Sequence, residues 1–368
     1  MSFVSNVPHF LVSFLLFITV LVFVHELGHF LVARWCGIRV DVFSIGFGPE
    51  LLGWTDRRGT RWKFSALPLG GYVKMFGDTN IMSLPDGTER PMTSAEAAVS
   101  FHHKSVGRRA LVAVAGPAAN FLFAVIVFAA LFGSYGKPYL STELGKVIPD
   151  SAAAKAGLKA GDRILAIDGR PIHSFEEVRA IVEMGLGAPL TISVERDGTT
   201  VQIAAQPRVE DEKSPFGVTR KGKLGVSSTG FGGVVRYDPL TAVGAALGQT
   251  WGITSSTLQA LWQIVNGSRP VNELGGVIQI AQLSGEVTRI GLLETISLVA
   301  LLSINLGLIN LFPIPMLDGG HLVFYAIEAV RGRPLSAKAQ EWGFRVGLAV
   351  VLALFLLATR NDLMRLIT

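Results

Sequence analysis

The run His25-Glu26-Leu27-Gly28-His29 sets two imidazoles four residues apart inside an apolar stretch. In a helix, positions i and i+4 share a face, so both rings can reach one cation while Glu26 sits beside the open coordination position. That pattern suits a zinc ion that activates water, with Glu26 as the general base. A lone buried histidine is commonly satisfied by ordinary neighbours. Three ionisable groups in five residues of a lipid span are different, since each central charge costs about 2.5–3.5 kcal/mol without a partner. Cys36 is the single cysteine, so any metal must use His, Asp or Glu. Hydrolytic zinc takes three protein ligands and leaves one position for water. The candidate third ligand is Asp318, in Asn310-Leu311-Phe312-Pro313-Ile314-Pro315-Met316-Leu317-Asp318-Gly319-Gly320-His321, where two prolines break a helix and two glycines permit sharp turns. His321 is the competing ligand; Asp318 is favoured because it sits at the turn itself.

The elements that must carry these residues are apolar. Of 368 residues, 49% are hydrophobic and 17% charged, and the mean hydropathy is +0.45. Residues 10–33, 111–132 and 295–312 each have the length and apolarity to cross a hydrocarbon core, which takes about 20 residues. Residues 342–358 form a shorter fourth candidate whose Arg345 can snorkel. The first stretch reads as a permanent span, because residues 1–8 carry no basic side chain and the apolar run continues past any small-residue cleavage site. Between the first two spans, residues 34–109 hold eleven Lys/Arg against seven Asp/Glu. The positive-inside rule makes that loop cytoplasmic and puts Met1 outside. Within it, residues 39–50 and 61–76 mix β-branched and aromatic residues with glycine, which predicts short strands in hairpins.

Residues 136–238 are the long polar stretch, and parity places them outside. They read as a compact α/β module: a strand at 145–148, an Ala-rich helix at 151–156 stopped by Gly157, and a strand at 163–167 ending in Asp168-Gly169. A helix follows, opened by a capping box at Ser174-Phe175-Glu176-Glu177, and then a hairpin at 190–195 and 199–204 around Asp197-Gly198. Residues 240–265 are helical and apolar, but carry Gln249, Thr250, Ser255, Ser256, Gln259 and Gln263. Crossing there would also leave Asp318 on the face opposite His25, so this helix is expected at the membrane interface. The net charge of +5 reflects basic residues beside spans, and no nucleic-acid partner is expected.

The predicted class is therefore a polytopic α-helical membrane protein of about four transmembrane helices, with a membrane-associated β element and one α/β domain outside. The expected division is 1–35 for the first span with HExxH, 36–108 for the cytoplasmic loop with β hairpins, and 109–134 for the second span. Residues 135–210 form the outer domain, 211–290 a linker with interfacial helices, and 291–368 the third and fourth spans with the Leu317-Asp318-Gly319 motif.

HELGH in the first span and NLFPIPMLDGGH near the end of the third resemble the site-2 protease family, most closely its bacterial RseP-like branch. So do Phe43-Ser44-Ile45-Gly46-Phe47-Gly48-Pro49 and Leu67-Pro68-Leu69-Gly70-Gly71-Tyr72-Val73-Lys74-Met75. The resemblance covers nearly the whole chain. It implies that His25, His29 and Asp318 bind Zn2+ and that Glu26 is the catalytic base. It implies too that Asn305 and Asn310 hold an unwound substrate, although helix–helix hydrogen bonding is an equal role for them. Residues 70–75, with Gly71 and Tyr72, resemble a membrane-reentrant β element able to pair edge-on with an extended substrate. Gly116-Pro117-Ala118-Ala119-Asn120-Phe121 also matches, with close helix packing as the alternative reason for its small residues.

The outer module, through residues 151–162, resembles a PDZ domain whose groove beside the Ser174 helix takes a peptide or protein ligand by strand addition. There is room for one such module, where the best-known relatives carry two. The implied function is regulated intramembrane proteolysis in the bacterial inner membrane, with the N-terminus and PDZ domain extracytoplasmic and the site near the cytoplasmic side. Its partners would be membrane lipid and single-span proteins, such as an anti-sigma factor after a first outer cut, or remnant signal peptides. A membrane adaptor with a structural metal has no use for Glu26, and a metal transporter would need more polar groups along its spans.

Overall fold

A computed structural model describes residues 3–77, 92–185, 187–214, 217–267, 271 and 274–367, in two compact units. The first comprises residues 1–128, 246–255 and 272–368. Its opening helix α1 (Phe3–Trp35) leads into a hairpin of β1 (Val40–Thr55) and β2 (Arg61–Met75). Next come α2 (Ser94–Val99) and α3 (Val106–Ser134). α2 is held by a capping box between Thr93 and Glu96.

The short hairpins expected from the sequence are instead one long, bent pair. Val40–Ile45 faces Gly71–Met75, and Val42–Ile45 also faces Arg61–Phe64, while Glu50–Thr55 folds back on Arg61–Ser65. Bulges between Ile45 and Leu52 accomplish the fold-back. The alternation that suggested short strands thus continues through Gly46 and Gly48, whose φ angles of 88° and 90° supply the bends. The hairpin is fastened to the inner end of α1. Phe30 meets Phe43 and Trp62 edge-on at 5.4 and 5.0 Å, and Phe43 stacks on Trp62 at 4.3 Å. Arg34 pairs with Asp56 and donates to Thr60 Oγ1 at 2.9 Å. Burial works against the Asp56 carboxylate, yet the Thr60 N–H, the Trp62 indole, Arg34 and the Arg58 N–H hold its pKa at about 2.

The second unit comprises residues 129–245 and 256–271. It contains β3 (Lys137–Leu140), β4 (Leu144–Val147), α4 (Ala152–Ala156), β5 (Arg163–Ile167), β6 (Arg170–Pro171) and α5 (Phe175–Met184). It continues through β7 (Leu190–Arg196), β8 (Thr199–Ala205), β9 (Arg208–Ser214), β10 (Gly217–Lys223), β11 (Val226–Ser228) and β12 (Phe231–Val235). The sheet order β6-β5-β7-β8 is antiparallel. Asp197 and Gly198, with φ of 50° and 77°, make the tight turn between β7 and β8. Ser151 caps α4 and Gly157 ends it at φ 85°. At α5 the Ser174 hydroxyl accepts from the Glu177 N–H, but the Glu177 carboxylate reaches the N–H of His173, one residue earlier than a capping box requires. The core includes Leu144, Ile164, Ile167, Val178, Ile192 and Val194, and each such fully buried aliphatic chain contributes about 1.5–3 kcal/mol. Leu224 belongs to the same core, and β11 pairs with β4, so this folded unit continues past residue 210.

The rest of the chain is helical: α6 (Pro239–Val265), α7 (Val277–Ile290), α8 (Leu292–Asn310), α9 (Asp318–Arg331) and α10 (Ala337–Ile367). Among the described residues, four helices are long and apolar enough to cross a membrane: Asn6–Trp35, Val106–Ser134, Leu292–Asn310 and Ala337–Arg365. The last is longer than residues 342–358, because its polar ends remain helical. α6 is not among them. α7 packs on α1, where Gly285 lies against Phe10 and its carbonyl oxygen is 3.0 Å from His9 Nε2. Its N-terminus is capped from α10: the Asp362 carboxylate accepts from the N–H groups of Gly276, Ile278 and Gln279 at 2.9–3.2 Å.

In the second unit, Asp162 is buried and takes two 2.7 Å bonds from Arg196 and one of 2.8 Å from the Lys159 N–H. Burial disfavours its charged form, but these donors prevail and keep its pKa below the ordinary value. The stability they give is present above about pH 3.9 and is lost as pH falls through the lowered folded pKa. Asp162→Asn should lower the unfolding midpoint of this unit in the full-length protein at neutral pH, read by limited proteolysis against temperature. The gap from wild type should close in strong acid. An unchanged midpoint at pH 7 would contradict this account.

Candidate metal centre

His25 and His29 lie one turn apart on α1, and Asp318 is the first residue of α9. Their ligand atoms all lie within 4.8 Å of one another. His25 Nε2 is 3.1 Å from Asp318 Oδ2, His29 Nε2 is 3.5 Å from Asp318 Oδ1, and the two Nε2 atoms are 3.3 Å apart. Donors at about 2.0–2.1 Å from a tetrahedral zinc stand roughly 3.3–3.4 Å from one another, so this triangle has the right edge. Asp318 Oδ2 is buried, and the polar atom against it at 3.1 Å is His25 Nε2, itself a member of the donor triangle, so outside that triangle it has no hydrogen-bond partner. A cation supplies what that oxygen is missing. The donor set of two imidazoles and one carboxylate therefore fits zinc.

His321, the competing ligand, is outside the three-ligand group. Its ring packs among Phe324, Tyr325 and Phe344, with centroids 5.6–6.4 Å away.

Close helix crossings bring the donors together. A Cβ on Gly28 would stand 2.3 Å from the Ala115 carbonyl oxygen, so only glycine lets α1 lie this near α3. Gly116 faces the imidazoles, and a Cβ there would fall 2.3 Å from His29 Nε2 and 2.8 Å from His25 Cε1. His29 Nδ1 is 2.7 Å from the Val112 carbonyl oxygen, an acceptor only, which puts the proton on Nδ1 and the lone pair on Nε2. The residues 116–121 thus do more than pack helices. The available signal was a glycine one helical turn before an asparagine in an otherwise apolar span.

Asp318 is positioned by its own turn and by α9. Added Cβ atoms on Gly319 and Gly320 would lie 2.3 and 2.4 Å from carbonyl oxygens of Leu311 and Ile314. Met316 adopts φ 105°, a region that costs a non-glycine residue about 1–3 kcal/mol and recurs at functional turns. Arg109 at the start of α3 makes a bidentate pair with Glu328 of α9 at 3.1 and 2.5 Å, nearly buried, and lies over the Tyr325 ring. Nothing in the sequence linked these two residues, which lie 219 positions apart.

Glu26 projects toward β2. The backbone N–H of Val73 lies near its carboxylate, and the Gly71 Cα lies so close to α1 that an added Cβ would stand 3.0 Å from Val22 Cγ1 and 3.5 Å from Glu26 Cγ. Among the described residues β2 pairs only with β1, so Gly71–Met75 is an edge strand beside Glu26. Tyr72 stacks on Phe47 at 6.0 Å and lies under Lys63. Asn310, at the end of α8, donates to the Leu306 carbonyl of its own helix at 3.0 Å. Asn305 is half-buried on α8. Neither belongs to the three-ligand group.

With two candidate metal ligands on a helix long enough to span a membrane, a third at the start of α9 and an acid beside them, the arrangement is that of a membrane-embedded metallopeptidase. The profile of peptidase family M50 matches residues 13–354, and the chain belongs to this family, the site-2 proteases. It is a zinc metalloprotease. The chain is 45% identical over 364 residues to a Rhizobium meliloti protein that carries the name of a zinc metalloprotease, covering 98% of this chain and 97% of that one. It is 43% identical over 358 residues to one so named in Brucella suis, covering 96% and 94%. It is 42% identical over 379 residues to the metalloprotease MmpA of Caulobacter vibrioides, covering 96% and 95%.

Gly116→Ala tests the crossing. The methyl group must push an imidazole aside, so zinc affinity is expected to fall roughly tenfold or more, with far-UV circular dichroism unchanged. Full zinc occupancy at equal affinity in this variant would refute the steric role of Gly116.

Proposed function

We propose that this protein cleaves single-span membrane proteins within the bilayer, with His25, His29 and Asp318 as zinc ligands and Glu26 as general base. The observation that carries the reading is the convergence of those three ligands from helices α1 and α9, with Glu26 directed at a free strand edge. Zinc held there supplies Lewis-acid polarisation of an amide carbonyl and of water. Glu26 removes a proton from the attacking water and passes it to the leaving amide nitrogen. The Val73 N–H, near the Glu26 carboxylate, helps to orient it. A transmembrane substrate helix must open before its amide is accessible, and its freed backbone groups then need partners. The edge at Gly71 and Tyr72 offers those partners by strand addition. Asn305 and Asn310, on the helix that precedes the Asp318 turn, contribute further polar contacts to the opened segment.

The orientation follows from the basic residues of the loop after α1: N-terminus outside, site near the cytoplasmic face of the bacterial inner membrane. The second unit works as an extracytoplasmic PDZ domain that takes a peptide or protein ligand in a groove beside α5. The division into spans, β element, PDZ domain and interfacial linker carries over in this reading with the PDZ domain extended past residue 210 to include β11, and with α6 lying at the membrane surface. The substrates are single-span proteins already shortened outside, such as an anti-sigma factor or a remnant signal peptide, which places the enzyme in regulated intramembrane proteolysis.

Glu26→Gln should keep stoichiometric zinc and lose about 10²–10⁴-fold in cleavage of a single-span model substrate in proteoliposomes. Wild-type-like turnover in that variant would refute the assigned base. Comparing membrane-derived fragments made in cells by wild type and by Glu26→Gln would identify the clients.

A further inference from the structure

We infer that Asn120 is a positioning residue for His25: its carboxamide oxygen accepts the His25 Nδ1–H and so keeps the Nε2 lone pair directed at the metal. This rests on the assignment of His25, His29 and Asp318 as zinc ligands.

Asn120 is fully buried on α3, and the nitrogen end of its carboxamide stands 3.2 Å from His25 Nδ1. The nitrogen and oxygen of such a group have nearly the same shape, so which one faces the ring is settled by hydrogen-bond logic. A neutral histidine that offers Nε2 to a cation carries its proton on Nδ1, and that proton needs an acceptor. An amide NH2 directed at Nδ1 would instead demand a lone pair there and place the proton on Nε2, where Asp318 and the other imidazole converge. The amide oxygen, meanwhile, is buried without a hydrogen-bond partner. Turning the carboxamide gives that oxygen the Nδ1–H of His25.

The rest of α3 supports the same role. Val112, Gly116 and Asn120 follow one another at four-residue spacing, on one face of the helix. His29 and His25 lie against that face in antiparallel order: His29 Nδ1 meets the Val112 carbonyl at 2.7 Å, Gly116 leaves room for both rings, and His25 Nδ1 meets Asn120. One helix thus provides an acceptor for each ligand histidine. Asn120 is itself held, since its backbone carbonyl accepts from Ser303 Oγ at 2.9 Å. Gly307 lets α8 come so near that an added Cβ would stand 3.2 Å from Asn120 Cβ.

The test uses full-length protein in detergent, with zinc affinity measured by chelator competition and the ligand field by the visible absorption of the Co2+-substituted form. Asn120→Leu keeps the branching and heavy-atom count of the side chain and removes the acceptor. Its zinc affinity should be 10–100-fold weaker, the usual effect of losing such a partner, with an altered Co2+ spectrum. Asn120→Asp offers only acceptors and should bind zinc within a few-fold of wild type with the wild-type spectrum. Wild-type affinity and spectrum in Asn120→Leu would overturn the inference. Loss of zinc from Asn120→Asp would overturn it too, and this arm decides the matter if the leucine variant does not fold. Failure of the wild-type protein itself to hold zinc would instead overturn the ligand assignment.

Discussion

A cation buried among membrane helices can be held only if its ligands are neutralised and hydrogen-bonded without help from water, and under the proposed ligand assignment that requirement shapes the first unit. Two imidazoles and one carboxylate surround the position, and each imidazole has a partner on α3 behind it. In lipid the hydrophobic effect does little to press helices together, so close packing must do it. The crossings are accordingly made at glycines: Gly28 and Gly116 between α1 and α3, Gly307 between α8 and α3. Gly343 and Gly347 bring α10 onto Pro315 of the turn that carries Asp318. A larger side chain at any of these points would widen a contact on which the ligand triangle depends.

Polar anchors at the helix ends complement those crossings. The Arg109–Glu328 pair is nearly buried, and removing one partner would leave an uncompensated charge, which makes it costly to break. It ties α9, and hence Asp318, to the start of α3. Few residues along α10 are buried, so its position is set near its ends. One end rests on Pro315 through Gly343 and Gly347, and the other inserts Asp362 into the N-terminus of α7. Its middle residues, Leu352, Leu354 and Phe355 among them, remain exposed, as suits a surface facing lipid.

What could be read from the sequence was what repeats locally or is chemically rare. Ligands four apart in an apolar run, a carboxylate between two prolines and two glycines, four apolar stretches, and the alternation of β7 and β8 around Asp197-Gly198 all have short-range signatures. Interactions set by the approach of distant segments had none. Asp362 caps a helix 86 residues earlier in the chain, and Arg109 finds Glu328 across 219 residues. β11 joins the core of the second unit from beyond the expected boundary because pairing with β4 depends on the folded path of the intervening chain. The hairpin was legible as β structure but not in its fold-back, since that depends on where bulges fall. Residues 116–121 were noticed, yet the role of Gly116 appears only when His29 is seen against it.

The way the hairpin is fastened bears directly on catalysis. Phe30 and Arg34 follow His29 on the same helix, and through Phe43, Trp62 and Asp56 they fix the hairpin to α1. The strand edge at Gly71–Met75 is therefore referenced to the helix that carries the proposed metal ligands His25 and His29, with the Val73 N–H near Glu26. A substrate strand that adds to this edge would be placed in register with the site by backbone hydrogen bonds alone, because strand pairing fixes position in steps of one residue. Under the proposed function, such an enzyme would accept varied side chains while still cutting at a defined depth. Its selectivity would then rest on how readily a substrate helix unwinds, more than on the identity of the residues beside the cut.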